Sequence, residues 1–342
     1  MEMKEIFMKR CIEIAKKGIG FVSPNPMVGC VIVHENKIIS EGYHEKFGEN
    51  HAEVNAINKI KNKEILKDAT LYVNLEPCSH HGKTPPCCDL IIKYQIPNVI
   101  IGTIDPFFKV KGNGITKMKD NGIKVEINIL KKENNLLNRR FFTFHRKKRP
   151  YIILKWAQSK DGFIAPKNQK EKFWMTSKES KELVHKWRSQ EDAILVGRIT
   201  TEKDNPKLTN RLTDGKNPIR LIIDKNLSLK KTFNVFNSDS KTIIFNNILN
   251  SSADSNHFIK INFENVLNEI LAILHSKNIQ SIIVEGGTKT LQSFINKNLW
   301  DEARIFKTNH NMNDGVKSPL INGKLISTSF ISNDTVNIIV NG

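Results

Sequence analysis

The chain has 342 residues, enough for two domains with separate cores. Hydrophobic residues make up 39% and charged residues 26%, the composition of an ordinary globular protein. No apolar run approaches the ~18 residues needed to cross a bilayer. Lys and Arg outnumber Asp and Glu by 53 to 35, a formal charge of +18. The basic residues are scattered through Lys/Asn-rich segments, which favours a solvated surface over a nucleic-acid footprint; phosphorylated metabolites and dinucleotides also suit such a balance.

The opening segment, MEMKEIFMKRCIEIAKK, is charged throughout and lacks the apolar stretch of a signal peptide. Five cysteines, an odd number with three at 78, 87 and 88, argue for a reducing compartment and metal binding rather than a disulfide frame, so a cytoplasmic protein is expected.

Met3, Phe7, Cys11 and Ile14 recur at helical spacing, predicting a first helix over 3–17 with Cys11 in the core. VGCVIVH (28–34) and KIISEGYH (37–44) read as strands joined by a tight Glu35-Asn36 turn. His51-Ala52-Glu53 opens a helical stretch to about Lys61. TLYVNLEP (70–77) reads as a buried strand that delivers Cys78 at its end. NVIIGTID (98–105) is another strand, then come a helix near 114–120, the strand IKVEINI and a helix from about Leu130 to Arg146. This alternation argues an α/β layer fold with some parallel pairing, whose ligands sit at the carboxyl ends of strands.

The basic, Pro-terminated HRKKRP marks a domain boundary, giving 1–147 and 150–342. Beyond it YIILKWA, EDAILVGR, NPIRLIID, SKTIIF and QSIIVEGG read as strands or strand ends. SKESKELVHKWRSQ is a helix capped by Ser177, with Leu183, Val184 and Trp187 inward and Arg188 on the exposed side. Gly286-Gly287 stands between a strand and the helical TLQSFINKN, where backbone N–H groups can approach a phosphate. Gly112-Asn113-Gly114 starts like a dinucleotide fingerprint, but Lys117 stands where the third glycine belongs and a polar loop precedes it, so it is rejected.

His51, Cys78 and Cys87 supply one imidazole and two thiolates. Three such ligands suit a catalytic Zn²⁺, which keeps a fourth position open. Glu53, two residues after His51, is placed to handle a proton without binding metal. This HxE and Pro-Cys pattern is the signature of zinc nucleobase deaminases. A structural zinc would want four protein ligands, and His80 or His81 stays available as the fourth; Glu53 has no use in such a site. Zinc acidifies water for attack on the pyrimidine carbon bearing the amine, with Glu53 passing the proton to departing ammonia.

Eight residues separate Cys78 from Cys87, and the insert ends in HHGKTPPC. It resembles the deaminase half of the bifunctional deaminase/reductase family of riboflavin biosynthesis. The resemblance implies a cytidine-deaminase-like α/β/α layer domain followed by a dihydrofolate-reductase-like α/β domain. It implies that the second cysteine ligand is Cys87, the first after Thr-Pro-Pro, with Cys88 a small helix-face residue. It also implies that Asn25, His44, Lys83, Thr84 and Asp105 hold the base or ribose phosphate. The family's Asp-Pro-Asn is here Asp105-Pro106-Phe107, which removes a polar contact.

In the second half the ordered segments KWAQSKDG (155–162), WMTS (174–177), DNPKLT followed by Arg211, and VEGGT (284–288) are similar to the family's reductase, which uses NADPH. By that match Trp174, Thr200, Asp204, Gly286, Gly287 and Thr288 bind NADPH. Arg188, Leu208, Arg211 and Glu285 contact substrate, and Lys155 and Ser159 line the site. Lys172 stands where the family often has Ser. Taken singly, Trp174 reads equally as core and Arg188 as a solvated helix residue; their order carries the inference. The implied activity is zinc-dependent deamination of a phosphorylated diaminopyrimidine, then NADPH-dependent reduction of its ribosyl group, by a homo-oligomer with no nucleic-acid or membrane partner. The rival is a tRNA or nucleobase deaminase with an appended binding domain.

Overall fold

The computed structural model describes residues 2–79, 85–107, 110, 112–168 and 173–342. The chain divides into two units, Met1–Lys148 and Arg149–Gly342. In the first, helix α1 (Met3–Ala15) turns Phe7, Met8, Cys11 and Ile14 onto Val31, Val33, Tyr72 and Ile100. Met3, expected on that face, is exposed in the first turn, and the helix ends two residues early in a 3₁₀ turn over Lys16–Gly18.

Strands β1 (Gly29–His34) and β2 (Lys37–Tyr43) pair antiparallel across Glu35 and Asn36, whose φ values of 46° and 60° match the twist of a two-residue hairpin. Helix α2 (Ala52–Lys59) follows. Strands β3 (Thr70–Val73), β4 (Asn98–Ile101) and β5 (Lys124–Glu126) are mutually parallel and complete a sheet of order β2-β1-β3-β4-β5. Helices α2, α3 (Cys87–Lys93) and α4 (Asn113–Asp120) bury Ala56, Ile57, Ile91, Ile115 and Met118 against Cys30, Ile32, Leu71 and Val99 on one face, while α1 covers the other.

Two expected strands stop early for an identifiable reason. Past Val73 the side chain of Asn74 replaces the ladder, its Oδ1 accepting from Gly29 N at 2.8 Å and its Nδ2 donating to Met27 O at 3.1 Å. Glu76 then accepts from the main-chain N–H of Asp105, Gly112, Gly114 and Ile115 at 3.0–3.4 Å, bending both strand ends into loops. The Gly112–Gly114 turn is thus filled by a carboxylate of this chain. The helix expected from Leu130 to Arg146 is two, α5 (Lys131–Leu137) and α6 (Arg139–Lys147). Between them buried Asn138 accepts from Met27 N at 2.8 Å and donates to Met27 O at 2.9 Å, tying the break to the segment before β1.

The second unit contains β6 (Tyr151–Gln158), β7 (Phe163–Ala165), α7 (Lys178–Gln190), β8 (Ala193–Gly197), α8 (Arg198–Asp204), β9 (Ile219–Ile223), β10 (Thr242–Asn246), β11 (Ser251–Ala253) and β12 (Asn256–Lys260). It continues through α9 (Val266–Ser276), β13 (Ser281–Val284), α10 (Thr288–Asn296), β14 (Glu302–Lys307), β15 (Val316–Lys317), β16 (Lys324–Ile331) and β17 (Asp334–Val340). Ten strands form one sheet, β11-β12-β10-β9-β8-β13-β6-β14-β17-β16, parallel from β12 to β14 and antiparallel at its ends. The central strands AILV and SIIV are buried on both faces, as a parallel sheet covered by helices requires. Ser177 caps α7 as expected, its Oγ accepting from Ser180 N at 3.2 Å.

Candidate functional sites

His51 sits in extended backbone just before α2, Cys78 lies in the loop beyond β3, and Cys87 is the first residue of α3. Their donor atoms converge: His51 Nδ1 lies 3.5 Å from Cys78 Sγ and 3.3 Å from Cys87 Sγ. All three lie within 4.8 Å of one another, the one such group among the described residues. Ligands at roughly 2.0–2.3 Å from a common tetrahedral ion would be spaced about 3–4 Å apart, so the donor set fits Zn²⁺ in kind and in spacing. The hydrogen bond from the Cys87 thiol pushes Cys78 down to about 4 against burial, with help from His51. The Cys87 main-chain N–H, at the positive end of α3, also points at that sulfur from 3.3 Å. Cys88 is elsewhere: fully buried in the core and pushed up to about 12, by burial first and then by Asp89. His80 and His81, with the expected substrate residues Lys83 and Thr84, lie outside the described residues, as does Lys172.

Glu53, in the first turn of α2, is buried, and burial raises its carboxyl above the ordinary range while His51 opposes the shift. The neighbouring Cys87 thiol also acts against that shift, more weakly. His44 is also buried. Its Nδ1 faces the Asn50 carbonyl at 3.0 Å, so that nitrogen carries the proton and Nε2 accepts from Asn25 Nδ2 at 3.1 Å. Burial keeps this imidazole neutral by lowering its pKa. Its ring stands edge-on to that of His51, with centroids 5.3 Å apart, so Asn25 and His44 lie beside the metal cluster.

Asp105 is buried and raised to about 7, by burial first, with the Phe107 N–H opposing and the Glu76 charge adding. The Phe107 substitution leaves that main-chain contact intact: its N–H reaches Asp105 Oδ1 at 2.7 Å, while the ring packs 5.0 Å from that of His145. Glu76, which holds the main chain of Asp105, Gly112 and the first turn of α4, escaped the sequence reading. The available signal was a carboxylate, Glu76, in the largely apolar TLYVNLEP segment, just past the end of β3.

In the second unit Arg188 from α7 meets Glu285 at the end of β13. Nη2 donates to Oε2 at 2.8 Å and Nε to Oε1 at 3.2 Å. Arg188 is 9% exposed, which overturns the solvated position expected for it. One turn beyond buried Val184, it shares the inward stripe, and a carboxylate at the adjacent strand end makes that burial tolerable. Burial alone would raise Glu285; Arg188 and Lys155 outweigh it and hold the carboxyl near 2. Lys155, on β6, is lowered by burial, with Glu285 opposing. Arg211 is an exposed residue, and its Nη1 donates to Thr209 Oγ1 at 2.8 Å. Leu208, at a φ of 54°, puts its side chain into a core with Ile194, Val196 and Ile222, and that burial leaves main-chain atoms as what it can offer a ligand. Ser159 is committed to a turn, its hydroxyl donating to Asp161 Oδ1 at 2.5 Å and accepting from Phe163 N at 3.0 Å.

The glycine pair lies where β8 and β13 end side by side. A Cβ on Gly286 would come within 2.9 Å of Gly197 N and 3.1 Å of Val196 Cα, so only glycine fits. Gly287 N donates to Thr200 Oγ1 at 2.8 Å, and α10 begins at Thr288, whose hydroxyl donates to Lys317 O at 2.7 Å. Asp204 closes α8, which starts at the end of β8. Trp174 is half exposed, with Lys181 Nζ 4.8 Å from its ring centre. A side-chain-free turn feeding a helix N-terminus fits the phosphates of a dinucleotide such as NADPH.

Comparison with known proteins finds relatives for both halves of the chain. The cytidine and deoxycytidylate deaminase zinc-binding region matches residues 1–103, and the RibD C-terminal domain matches 150–308. Riboflavin biosynthesis protein RibD of Aquifex aeolicus (strain VF5) is 39% identical over 326 residues, covering 92% of this chain and 89% of that one. Its counterpart from Bacillus amyloliquefaciens is 36% identical, covering 97% and 89%. The crystal structure of a diaminohydroxyphosphoribosylaminopyrimidine deaminase/5-amino-6-(5-phosphoribosylamino)uracil reductase from Thermotoga maritima superposes with a TM-score of 0.91 at 37% identity, covering 99% of each chain. The chain therefore belongs to the RibD family, the bifunctional zinc-dependent deaminases and NADPH-dependent reductases of riboflavin biosynthesis.

Proposed function

We propose that residues 1–147 carry the deaminase and 150–342 the reductase, acting in turn on one phosphorylated pyrimidine. The first step is hydrolytic deamination of 2,5-diamino-6-(5-phosphoribosylamino)pyrimidin-4(3H)-one; the second reduces the ribosyl side chain to ribityl. What carries this assignment is the convergence of His51, Cys78 and Cys87 on a point against buried Glu53. Those three side chains would hold zinc. When bound, Zn²⁺ supplies Lewis acidity that brings the pKa of water to about 7. Glu53 takes the proton of the attacking water and delivers it to the departing ammonia, and a burial-raised carboxyl suits a group that must hold a proton for part of the cycle. Neutral His44 fixes the Asn25 amide for the base, Asp105 contributes a carboxyl, and Lys83 and Thr84 meet the ribose phosphate.

In the second unit Trp174, Thr200, Asp204, Gly286, Gly287 and Thr288 would hold NADPH, which supplies the hydride. Lys155, Ser159, Arg188, Leu208, Arg211 and Glu285 contact the substrate. Three cations against one carboxylate leave this set net positive, as a phosphate ester requires. A cytoplasmic location is supported by five cysteines without a disulfide. No helix among the described residues is long and apolar enough to span a membrane. A homo-oligomer is supported by β16, an edge strand that leaves Leu325, Ile326 and Phe330 exposed.

The test is incubation with the diaminopyrimidine substrate with and without NADPH, resolving both products. Ammonia release without NADPH and the ribityl product only with it are expected. Deamination of RNA in place of the small substrate would favour the tRNA-deaminase reading.

A further inference from the structure

Helix α7 holds the Leu208–Gly215 segment along one face. His185 Nδ1 accepts from the main-chain N–H of Arg211 at 2.9 Å, and Arg188 Nη1 donates to Thr209 O at 3.4 Å. A Cβ on Gly215 would come 2.8 Å from that of Ser189, so the segment lies close against the helix at its far end too. The Arg211 guanidinium also reaches Thr209 O, at 3.4 Å. Two guanidiniums therefore converge on one carbonyl oxygen. Glu285 balances Arg188; among the described residues no carboxylate hydrogen-bonds Arg211, which feels the Asp239 charge without such a contact.

Like charges this close repel, and some fixed structure must hold the second one in place. His185 is 1% exposed and contributes that hold without adding charge. A backbone N–H can only donate, so Nδ1 is the acceptor and the ring proton is on Nε2. Burial, then Arg188 and Arg211, push its pKa down to about 4, which keeps Nδ1 available near neutrality.

We infer that His185 is a positioning residue for the reductase reaction, latching the Arg211 main chain so that its guanidinium is set beside Arg188 for the anionic group of the substrate. The inference rests on the substrate roles proposed above for Arg188 and Arg211. A histidine that merely fills the core would be replaceable by any side chain of its size. A latch needs an acceptor at the Nδ1 position. Asn places its carbonyl oxygen there; Gln places it a bond further out, and Leu supplies none.

The experiment uses the full chain as wild type, His185→Asn, His185→Gln and His185→Leu. Hydrogen exchange of the peptide spanning 208–213 reads the latch, and the reductase KM for the phosphorylated, deaminated substrate reads its consequence. NADPH affinity and ammonia release serve as references. Gln and Leu should speed exchange at Arg211 and raise KM, each by about tenfold, with NADPH affinity and ammonia release unchanged; Asn should stay within about threefold of wild type. Gln keeps a polar side chain in place should Leu fail to fold. Wild-type exchange and KM in Gln would overturn the inference, as would Asn as impaired as Gln, or NADPH affinity falling in step with KM. Absence of NADPH oxidation in the wild type would sink the reductase assignment instead, while the exchange arm would still decide the latch.

Discussion

Arg188 and Glu285 form a two-point ion pair between α7 and the end of β13, at 2.8 and 3.2 Å, with both side chains about nine-tenths buried. Such a pair does little for net stability against an apolar substitute, but removing one partner leaves the other charge buried alone. Arg188→Ala should therefore lower stability by roughly 3–5 kcal/mol in denaturant titration, besides weakening the substrate. Glu285→Gln in the same background should recover part of that loss. A variant with wild-type stability would show that Arg188 is not held as described.

The same pair sets a pH dependence. Glu285 titrates near 2 when folded, below the ordinary value of 4.5. A depressed carboxyl stabilises the fold fully above its unfolded value and loses that contribution as pH falls toward the folded one. Stability should fall between about pH 4.5 and 2 more steeply in wild type than in Glu285→Gln. Parallel profiles would place the acid sensitivity in other groups.

Glu53 makes a sharper claim on chemistry. It is no part of the three-donor cluster, so Glu53→Gln should keep zinc at wild-type stoichiometry. Loss of its proton transfer should cost deamination about 10²–10⁴-fold or more, with the NADPH-dependent step on pre-deaminated substrate intact. Ammonia release near the wild-type rate would remove Glu53 from the reaction.

Adjacent cysteines separate coordination from packing. Cys87→Ser should lose zinc in metal analysis, because Cys87 Sγ lies 3.3 Å from His51 Nδ1. Cys88→Ser should retain it and instead lose stability, since its sulfur is buried against the Ala56–Ile91 core. The reverse pattern would shift the ligand by one residue.

How much of this was legible depended on whether a residue's role was local. His51 and Cys78 could be read because metal chemistry restricts residue type, while Cys87 rather than Cys88 was implied by the family resemblance of the HHGKTPPC insert. The hairpin at Glu35-Asn36 and the Ser177 cap could be read because turns and caps are short-range. Arg188 was misread because a helical stripe shows what faces inward only if the partner is known, and Glu285 lies 97 residues away. Asn74, Glu76 and Asn138 ended or broke elements through side chains that bond to distant main chain, which no periodicity reveals. β16 and β17 escaped because LISTSFI, at the sheet edge, and TVNIIV, beside it, lack the continuous apolar run that marked the central strands.

The glycine pair provides a last contrast, because its two members are constrained by different things. At Gly286 a methyl would press on Gly197 N at 2.9 Å and Val196 Cα at 3.1 Å, both backbone atoms of the neighbouring strand end. Backbone cannot swing aside, so Gly286→Ala should cost roughly 1–3 kcal/mol as overpacking. At Gly287 the sole neighbour within reach among the described residues is Thr200 Oγ1 at 3.2 Å, a side-chain tip that can shift by a few tenths of an ångström while keeping its hydrogen bond from Gly287 N. Gly287→Ala should therefore leave the melting temperature nearly unchanged. If the turn cradles the NADPH phosphates, however, the methyl stands where the ligand must approach, and NADPH affinity should fall by about tenfold or more, roughly 1.4 kcal/mol. Thermal unfolding and NADPH titration of the two variants check both halves. Unchanged NADPH affinity in Gly287→Ala would move the phosphate site away from this turn.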